Sequence, residues 1–220
     1  MGTPERYQRV QEDYTSGICD AKNLANKQKA IFLDRDGTIN EYVGFLRKEE
    51  DFALIPGVSE AIKKINNSGY LAIVVTNQPV IARGEVTEDE LNGIHKKMET
   101  LLGLDGAYID DIYYCPHHPD KGFEGEIPEL KIECDCRKPK TGMLQRAAND
   151  HNIDLSKSIM IGDSTLDIKM AENAGMQSVL LKTGQKGEDG KYEVSPTIVA
   201  EDLNDAVNKI FNKEASKRLK

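Results

Sequence analysis

No stretch of this 220-residue chain stays apolar over the length needed to span a bilayer, and the amino terminus has no apolar core between a basic start and a small-residue cleavage site. Neither a membrane anchor nor a secretory signal is expected, which makes the cytoplasm the expected compartment. Positive charge is also in deficit: 29 Lys and Arg against 37 Asp and Glu leave a formal net charge of −8. Such a surface disfavours non-specific attachment to nucleic acid or anionic lipid, although a small anionic substrate needs only a local basic pocket. Proline and glycine are too scattered for a fibrous or linker-rich chain, and no low-complexity segment or internal repeat is visible. Cysteine is sparse, four in all, yet Cys115, Cys134 and Cys136 gather near His117 while Cys19 stands alone. In a reducing compartment that grouping reads as metal binding before disulfide.

What is present is a regular alternation of short apolar runs and amphipathic segments. Strands are expected at Lys29–Asp34, Tyr70–Thr76, Ile109–Tyr114, Ser158–Gly162, Ser178–Leu181 and Ile198–Val199. Helices are expected at Val58–Asn67, Glu88–Leu102, Gly142–Asn152, Thr165–Ala174 and Leu203–Phe211. Runs such as Ala72-Ile73-Val74-Val75, without polar alternation, suit parallel strands covered on both faces. The expected fold class is therefore α/β, a doubly wound parallel sheet in a single domain over residues 29–212. Residues 1–28, polar and without visible periodicity, read as an extension, and 213–220 as a polar tail. The long connection Pro116–Lys140 has little regular pattern and needs either a function or a fixing device.

In such sheets ligands bind beyond the carboxyl ends of the strands, where Asp34, Thr76, Cys115 and Asp163 fall. Asp34-Arg35-Asp36-Gly37-Thr38 places two carboxylates after a strand; one can act as a nucleophile and the other as a proton donor. An isolated Asp-x-Asp is more often a solvated turn that caps the next element. Thr76-Asn77-Gln78 can hold phosphoryl oxygens or satisfy a local turn. Arg137 and Lys138, before Pro139, can meet a phosphate or remain on the surface. Asp163 can complete a hard oxygen site for Mg²⁺, or cap the helix in which Asp167 follows. Cys115, His117, Cys134 and Cys136 form a ligand set suited to a closed tetrahedral Zn²⁺ site pinning the long loop, with His118 a further candidate ligand. His95, His151 and Cys19 belong to no cluster and read as structural or exposed.

Taken in order, Asp-x-Asp-Gly-Thr, Thr-Asn, a Lys and Gly-Asp-x-x-x-Asp resemble the haloacid dehalogenase superfamily of phosphohydrolases, from about Lys29 to Phe211. The resemblance implies a Rossmann-like α/β fold without a large cap domain. It implies that Asp34 forms an aspartyl-phosphate, that Asp36 protonates the leaving group and then activates water, and that Thr76, Asn77 and Lys138 bind the phosphoryl group. It also implies that Asp34, the backbone carbonyl of Asp36 and Asp163 ligate Mg²⁺. Cys-x-His with Cys-x-Cys-Arg-Lys-Pro is similar to the zinc-loop histidinol-phosphate and heptose-bisphosphate phosphatases within that superfamily. Ile81-Ala82-Arg83-Gly84 and Thr87-Glu88-Asp89-Glu90 resemble the heptose-bisphosphate branch.

The implied reaction removes the C7 phosphate of D-glycero-D-manno-heptose 1,7-bisphosphate, with Arg83, Arg137 and Lys138 as cations for the second phosphate or sugar oxygens. Two features depart from the branch: Pro79-Val80 stands where Ser-Gly is usual, and Lys121–Lys131 lengthens the zinc loop. The alternative substrate, histidinol phosphate, carries a cationic amine that calls for an acid where Arg83 and Arg137 stand. A non-catalytic partner domain of a sugar-nucleotide enzyme would be expected to lose Asp34, Asp36 or Asp163, and all three are present. Gly2-Thr3-Pro4-Glu5-Arg6-Tyr7 resembles the closing segment of sugar-phosphate nucleotidylyltransferases, which implies fusion or association with one.

Overall fold

A computed structural model of the chain describes residues 3–17, 19 and 23–218. Six strands are found: β1 Lys29–Leu33, β2 Tyr70–Asn77, β3 Asp111–Cys115, β4 Ile159–Gly162, β5 Gln177–Leu181 and β6 Ile198–Ala200. All five pairings are parallel, in the order β3-β2-β1-β4-β5-β6. The helices are α1 Pro4–Thr15, α2 Val58–Asn66, α3 Pro79–Ala82, α4 Glu88–Leu104, α5 Gly142–Asp150, α6 Thr165–Asn173 and α7 Leu203–Arg218.

Both faces of the sheet are covered, as the unbroken apolar strands require. Ile31, Leu33, Ala72 and Val74 pack with α2, α4 and α7 on one side. Ala30, Phe32, Ile73 and Val75 pack with α5 and α6 on the other. The strand order reverses between β1 and β4, and the crevice beyond that switch point is where Asp34 and Asp163 emerge. Helix α4 begins in a reciprocal capping box between Thr87 and Glu90, which fixes its start next to the pocket-lining Arg83.

Two expectations are corrected. The extension contains a helix, α1, although its sequence reads as aperiodic: Thr3 accepts a hydrogen bond from the Arg6 amide, and Pro4 is preset for the first turn. It buries no residue, and Tyr7, Val10 and Tyr14 stay exposed along it, so local capping rather than packing forms it. At the other end α7 runs past Asn212 to Arg218, although its described side chains from Asn212 onward are exposed. Gly2, part of the nucleotidylyltransferase-like segment, lies outside the described residues. Strand β3 starts two residues later than expected and ends on Cys115 itself, and β2 continues through Asn77. No helix among the described residues is long and apolar enough to cross a membrane.

Candidate active site and metal centres

Every site residue expected at a strand end, together with Arg83, Arg137 and Lys138, lies in or beside one pocket of about 240 Å³ at the carboxyl edge of the sheet, except the Cys/His set. The pocket is roofed by loops rather than by a second domain. Asp34 and Asp163 on its lining, with the fully buried Asp167 behind them, bring carboxylate oxygens within 4.8 Å of one another. Lys138 reaches into this group with Nζ 2.8 Å from Asp34 Oδ1 and 2.7 Å from Asp167 Oδ1, and also donates to the Val75 carbonyl at 3.2 Å. Asn77 holds the lysine in place through its backbone, accepting from the Lys138 amide at 3.0 Å and donating to its carbonyl at 3.3 Å. Thr76 is buried, and its Oγ1 accepts from Gln78 Nε2.

The electrostatics follow from burial in a crowd of like charges. Desolvation raises Asp34 to about 7 against the opposing pull of Lys138, with Asp167 adding repulsion. Asp163 is pushed up to about 8, first by burial and then by Asp34 and Asp167. For Lys138, burial favours the neutral amine but the Asp167 and Asp34 carboxylates outweigh it, so its proton is held above the ordinary lysine range. Three carboxylates share one ammonium, which leaves negative charge that a divalent cation with oxygen ligands would neutralise; the donor set fits Mg²⁺. Gly37 and Gly184 shape the same corner, since a Cβ on either would run into the Asp163 carboxylate. Both have positive φ, 79° and 52°, which glycine adopts without strain.

Asp36 is handled differently. Burial alone would raise it, but the Arg35 guanidinium, with Nη2 at 2.9 and 3.0 Å from its two oxygens, and hydrogen bonds from Asn40 and Gln78 hold it below the usual carboxylate range. Arg35 is completely buried, and its Nη1 lies 3.3 Å from His95 Nε2. Sequence reasoning left Arg35 without a role and set His95 aside as structural or exposed; it is buried and part of this network. The signal available was the middle position of Asp-Arg-Asp, where a buried cation between two acids has no surface role. Asp167, legible as the last acid of Gly-Asp-x-x-x-Asp in the first turn of its helix, accepts from the Ser164 amide and hydroxyl and is also the partner of Lys138.

The Cys/His set forms a separate cluster. Cys136 Sγ lies 3.2 Å from Cys115 Sγ and 3.3 Å from Cys134 Sγ, with His117 Nδ1 at 3.3 Å. Four ligand atoms around a centre about 2.3 Å from each sulfur would show spacings of this size, whereas a disulfide needs about 2.05 Å. The donors therefore fit Zn²⁺. His118 does not join them; it turns to Arg83, whose Nη2 lies 3.3 Å from His118 Nε2. Arg137 Nη1 donates to the His117 carbonyl, tying the pocket cation to the cluster.

Residues 135–206 match a family described as HAD-hydrolase-like. The chain is 43% identical over 182 residues to the D-glycero-beta-D-manno-heptose-1,7-bisphosphate 7-phosphatase of Haemophilus ducreyi, covering 82% of this chain and 97% of that protein. It is 42% identical over 160 residues to the alpha-anomer 7-phosphatase of Photorhabdus laumondii, covering 72% and 85%. The crystal structure of the D,D-heptose 1,7-bisphosphate phosphatase of B. bronchiseptica, complexed with magnesium and phosphate, superposes with a TM-score of 0.74 at 32% identity, covering 84% of this chain and 99% of that one.

Fold and site together define a phosphoric monoester hydrolase of the haloacid dehalogenase type. The chain belongs to the heptose-1,7-bisphosphate 7-phosphatase family.

Proposed function

We propose that the chain hydrolyses the C7 phosphate of D-glycero-D-manno-heptose 1,7-bisphosphate. The observation that carries this reading is the placing of the pocket's cations: Lys138 is engaged by the Asp34 and Asp167 carboxylates, whereas the distal pair Arg83 and Arg137 line the same pocket as charged neighbours of one another. Asp34, Asp36 and Asp163 are the only acids among its described lining residues, so the distal end suits a second phosphate and offers nothing to the ammonium of histidinol phosphate. The cytoplasm, where the thiols of the Cys/His cluster stay reduced, suits the reading. An association with a sugar-phosphate nucleotidylyltransferase is part of it, resting on the segment that opens α1.

Asp34 attacks phosphorus in line, the sugar oxygen leaves with a proton from Asp36, and an aspartyl-phosphate results. Water then attacks that phosphorus, gives its proton to Asp36, and releases phosphate with Asp34 restored. Arg35 keeps Asp36 ionised in the free protein; the arriving phosphate raises its proton affinity by like-charge repulsion. Thr76 and Lys138 hold the transferred oxygens, and Asn77 holds Lys138. Asp34, the backbone carbonyl of Asp36 and Asp163 would bind Mg²⁺, which supplies charge neutralisation between carboxylate and phosphate. Zn²⁺ at Cys115, His117, Cys134 and Cys136 would have a structural part, setting where Arg137 and Lys138 stand.

Phosphate release from both heptose bisphosphate anomers, histidinol phosphate and an aryl phosphate tests the reading. At least one anomer should exceed histidinol phosphate by about a hundredfold or more in kcat/KM, as expected when a half-buried cation pair loses its anion. Equal turnover of histidinol phosphate would overturn it.

A further inference from the structure

The segment Lys121–Lys131 has no role in the chemistry above, yet its Phe123 packs on Arg83, which lines the pocket. The Arg83 guanidinium carbon lies over two rings, 4.4 Å from the centre of Phe123 and 4.2 Å from that of Phe45. The alternation continues outward, with Arg47 5.8 Å from the Phe45 ring and Lys131 Nζ 4.5 Å from the Phe123 ring. Carboxylates close both ends: Glu85 at 2.7 Å from Arg47 and Glu126 at 3.5 Å from Lys131. The result is a ladder of cation, ring, cation, ring, cation drawn from three separate segments, and its central cation, Arg83, lines the pocket. Each ring places its negative face toward two cations that would otherwise repel.

The in-plane edge of Arg83 is also directed. His118 Nδ1 faces the Asp120 carbonyl at 3.4 Å, which puts the imidazole proton there and leaves Nε2 to accept from Arg83 Nη2. Arg83 Nε is buried and has no hydrogen-bond partner among the described residues. The backbone locks the segment on: the Ile127 amide donates to the Ala82 carbonyl at 3.0 Å, and Gly84 lies so close to the Gly125 carbonyl that a Cβ would collide with it.

We propose that Phe45 and Phe123 are positioning residues for substrate selectivity, acting through Arg83. With two rings packed against its central carbon, the planar guanidinium is held in one orientation, so that its in-plane fork of donors is presented in a fixed direction, as two parallel hydrogen bonds to a phosphate require. The lengthened loop thereby serves recognition of the distal phosphate. This inference rests on the assignment of Arg83 to that phosphate.

The test compares the ratio of kcat/KM for heptose bisphosphate to that for an aryl phosphate in Phe123→Leu, Phe45→Leu, Phe123→Tyr and Arg83→Ala. Each leucine variant should lower the ratio about tenfold, through KM rather than kcat, and Phe123→Tyr should return it to within about twofold of the starting protein. Phe45 is 42% exposed, so its leucine variant decides the matter even if Phe123→Leu fails to fold. A ratio that drops in Arg83→Ala but stays put in the leucine variants overturns the positioning role alone. A ratio unmoved in Arg83→Ala overturns the distal-phosphate assignment and this inference with it.

Discussion

The two ligand clusters of this molecule are built alike and held differently. Each gathers its donor atoms within 4.8 Å. The buried carboxylates of Asp34 and Asp163 follow β1 and β4, and that of Asp167 stands in the first turn of α6, all on a sheet packed on both faces, and Lys138 already supplies an internal counter-charge. The thiols and imidazole sit at the two ends of a connection whose only regular piece is a single 3₁₀ turn, Pro128–Leu130, with Cys134 and His117 partly open to solvent. The first cluster is positioned by a core that exists without it; the second stands in for a core that its loop lacks. Loss of a carboxylate should therefore cost chemistry before structure, and loss of a thiol structure before chemistry.

The strongest test of that contrast is Asp34→Asn. Removing the nucleophile should reduce turnover by about ten thousandfold or more, read as phosphate release. In chelator-treated protein the unfolding midpoint should stay level or rise, because burial and neighbouring acids disfavour the Asp34 carboxylate, whose value is raised to about 7. A clear loss of stability would mean that the acid cluster is structural after all. Asp36→Asn should show a smaller, leaving-group-dependent loss, about tenfold or more worse on the sugar phosphate than on an aryl phosphate whose oxygen departs without a proton. Equal losses on both would exclude Asp36 as the proton donor.

Cys134→Ser probes the other cluster. Bound zinc should fall from one per chain, measured by elemental analysis, and the melting temperature should drop by several degrees, in line with the removal of a metal ligand. Because Arg137 donates to the His117 carbonyl, activity on heptose bisphosphate should fall more than activity on an aryl phosphate. Protein that carries no zinc before mutation, or substrate preference unchanged after zinc is lost, would break the link between this loop and recognition.

How much of this was legible in the chain depends on how far apart the cooperating residues lie. The alternation of strands and helices is local, and so are Asp34, Asp36 and Asp163 after strands and the Cys115/His117 and Cys134/Cys136 pairs; all of these could be read from spacing. Helix α1 escaped because nothing buries it, so no periodic core face announces it. Asn77 was legible as a motif residue but not as the clamp on Lys138, 61 residues away. The Arg35–His95 contact joins positions 60 apart, and the rings packed on Arg83 come from the loop after β1 and from the connection after β3. Such partners are set by how loops fold over the sheet, and no spacing rule in one sequence encodes them.

The smallest expected effect separates the network behind Asp36 from the acid cluster beside it. Arg35 is always charged, so His95 must accept at Nε2 and remain neutral; burial first, and Arg35 second, lower its value to about 3. An unfolded histidine titrates near 6.5, so between about 6.5 and 3 the unfolded chain binds a proton that the native protein refuses. Stability due to this residue therefore falls as pH falls through that window, by about 2 kcal/mol between pH 7 and 5. Asp34 and Asp163 have the opposite sign: their raised values make the native state bind protons more readily than the unfolded chain, so acidification favours it. Net pH dependence thus hides both, and a variant is needed to subtract one. His95→Gln keeps an acceptor for Arg35 and cannot titrate. Urea unfolding of both proteins at pH 7 and pH 5 should show the wild-type protein losing about 2 kcal/mol more than the variant on acidification. An identical change in the two would mean that His95 is protonated in the fold, and that Arg35 is held to Asp36 by Gln78 without it.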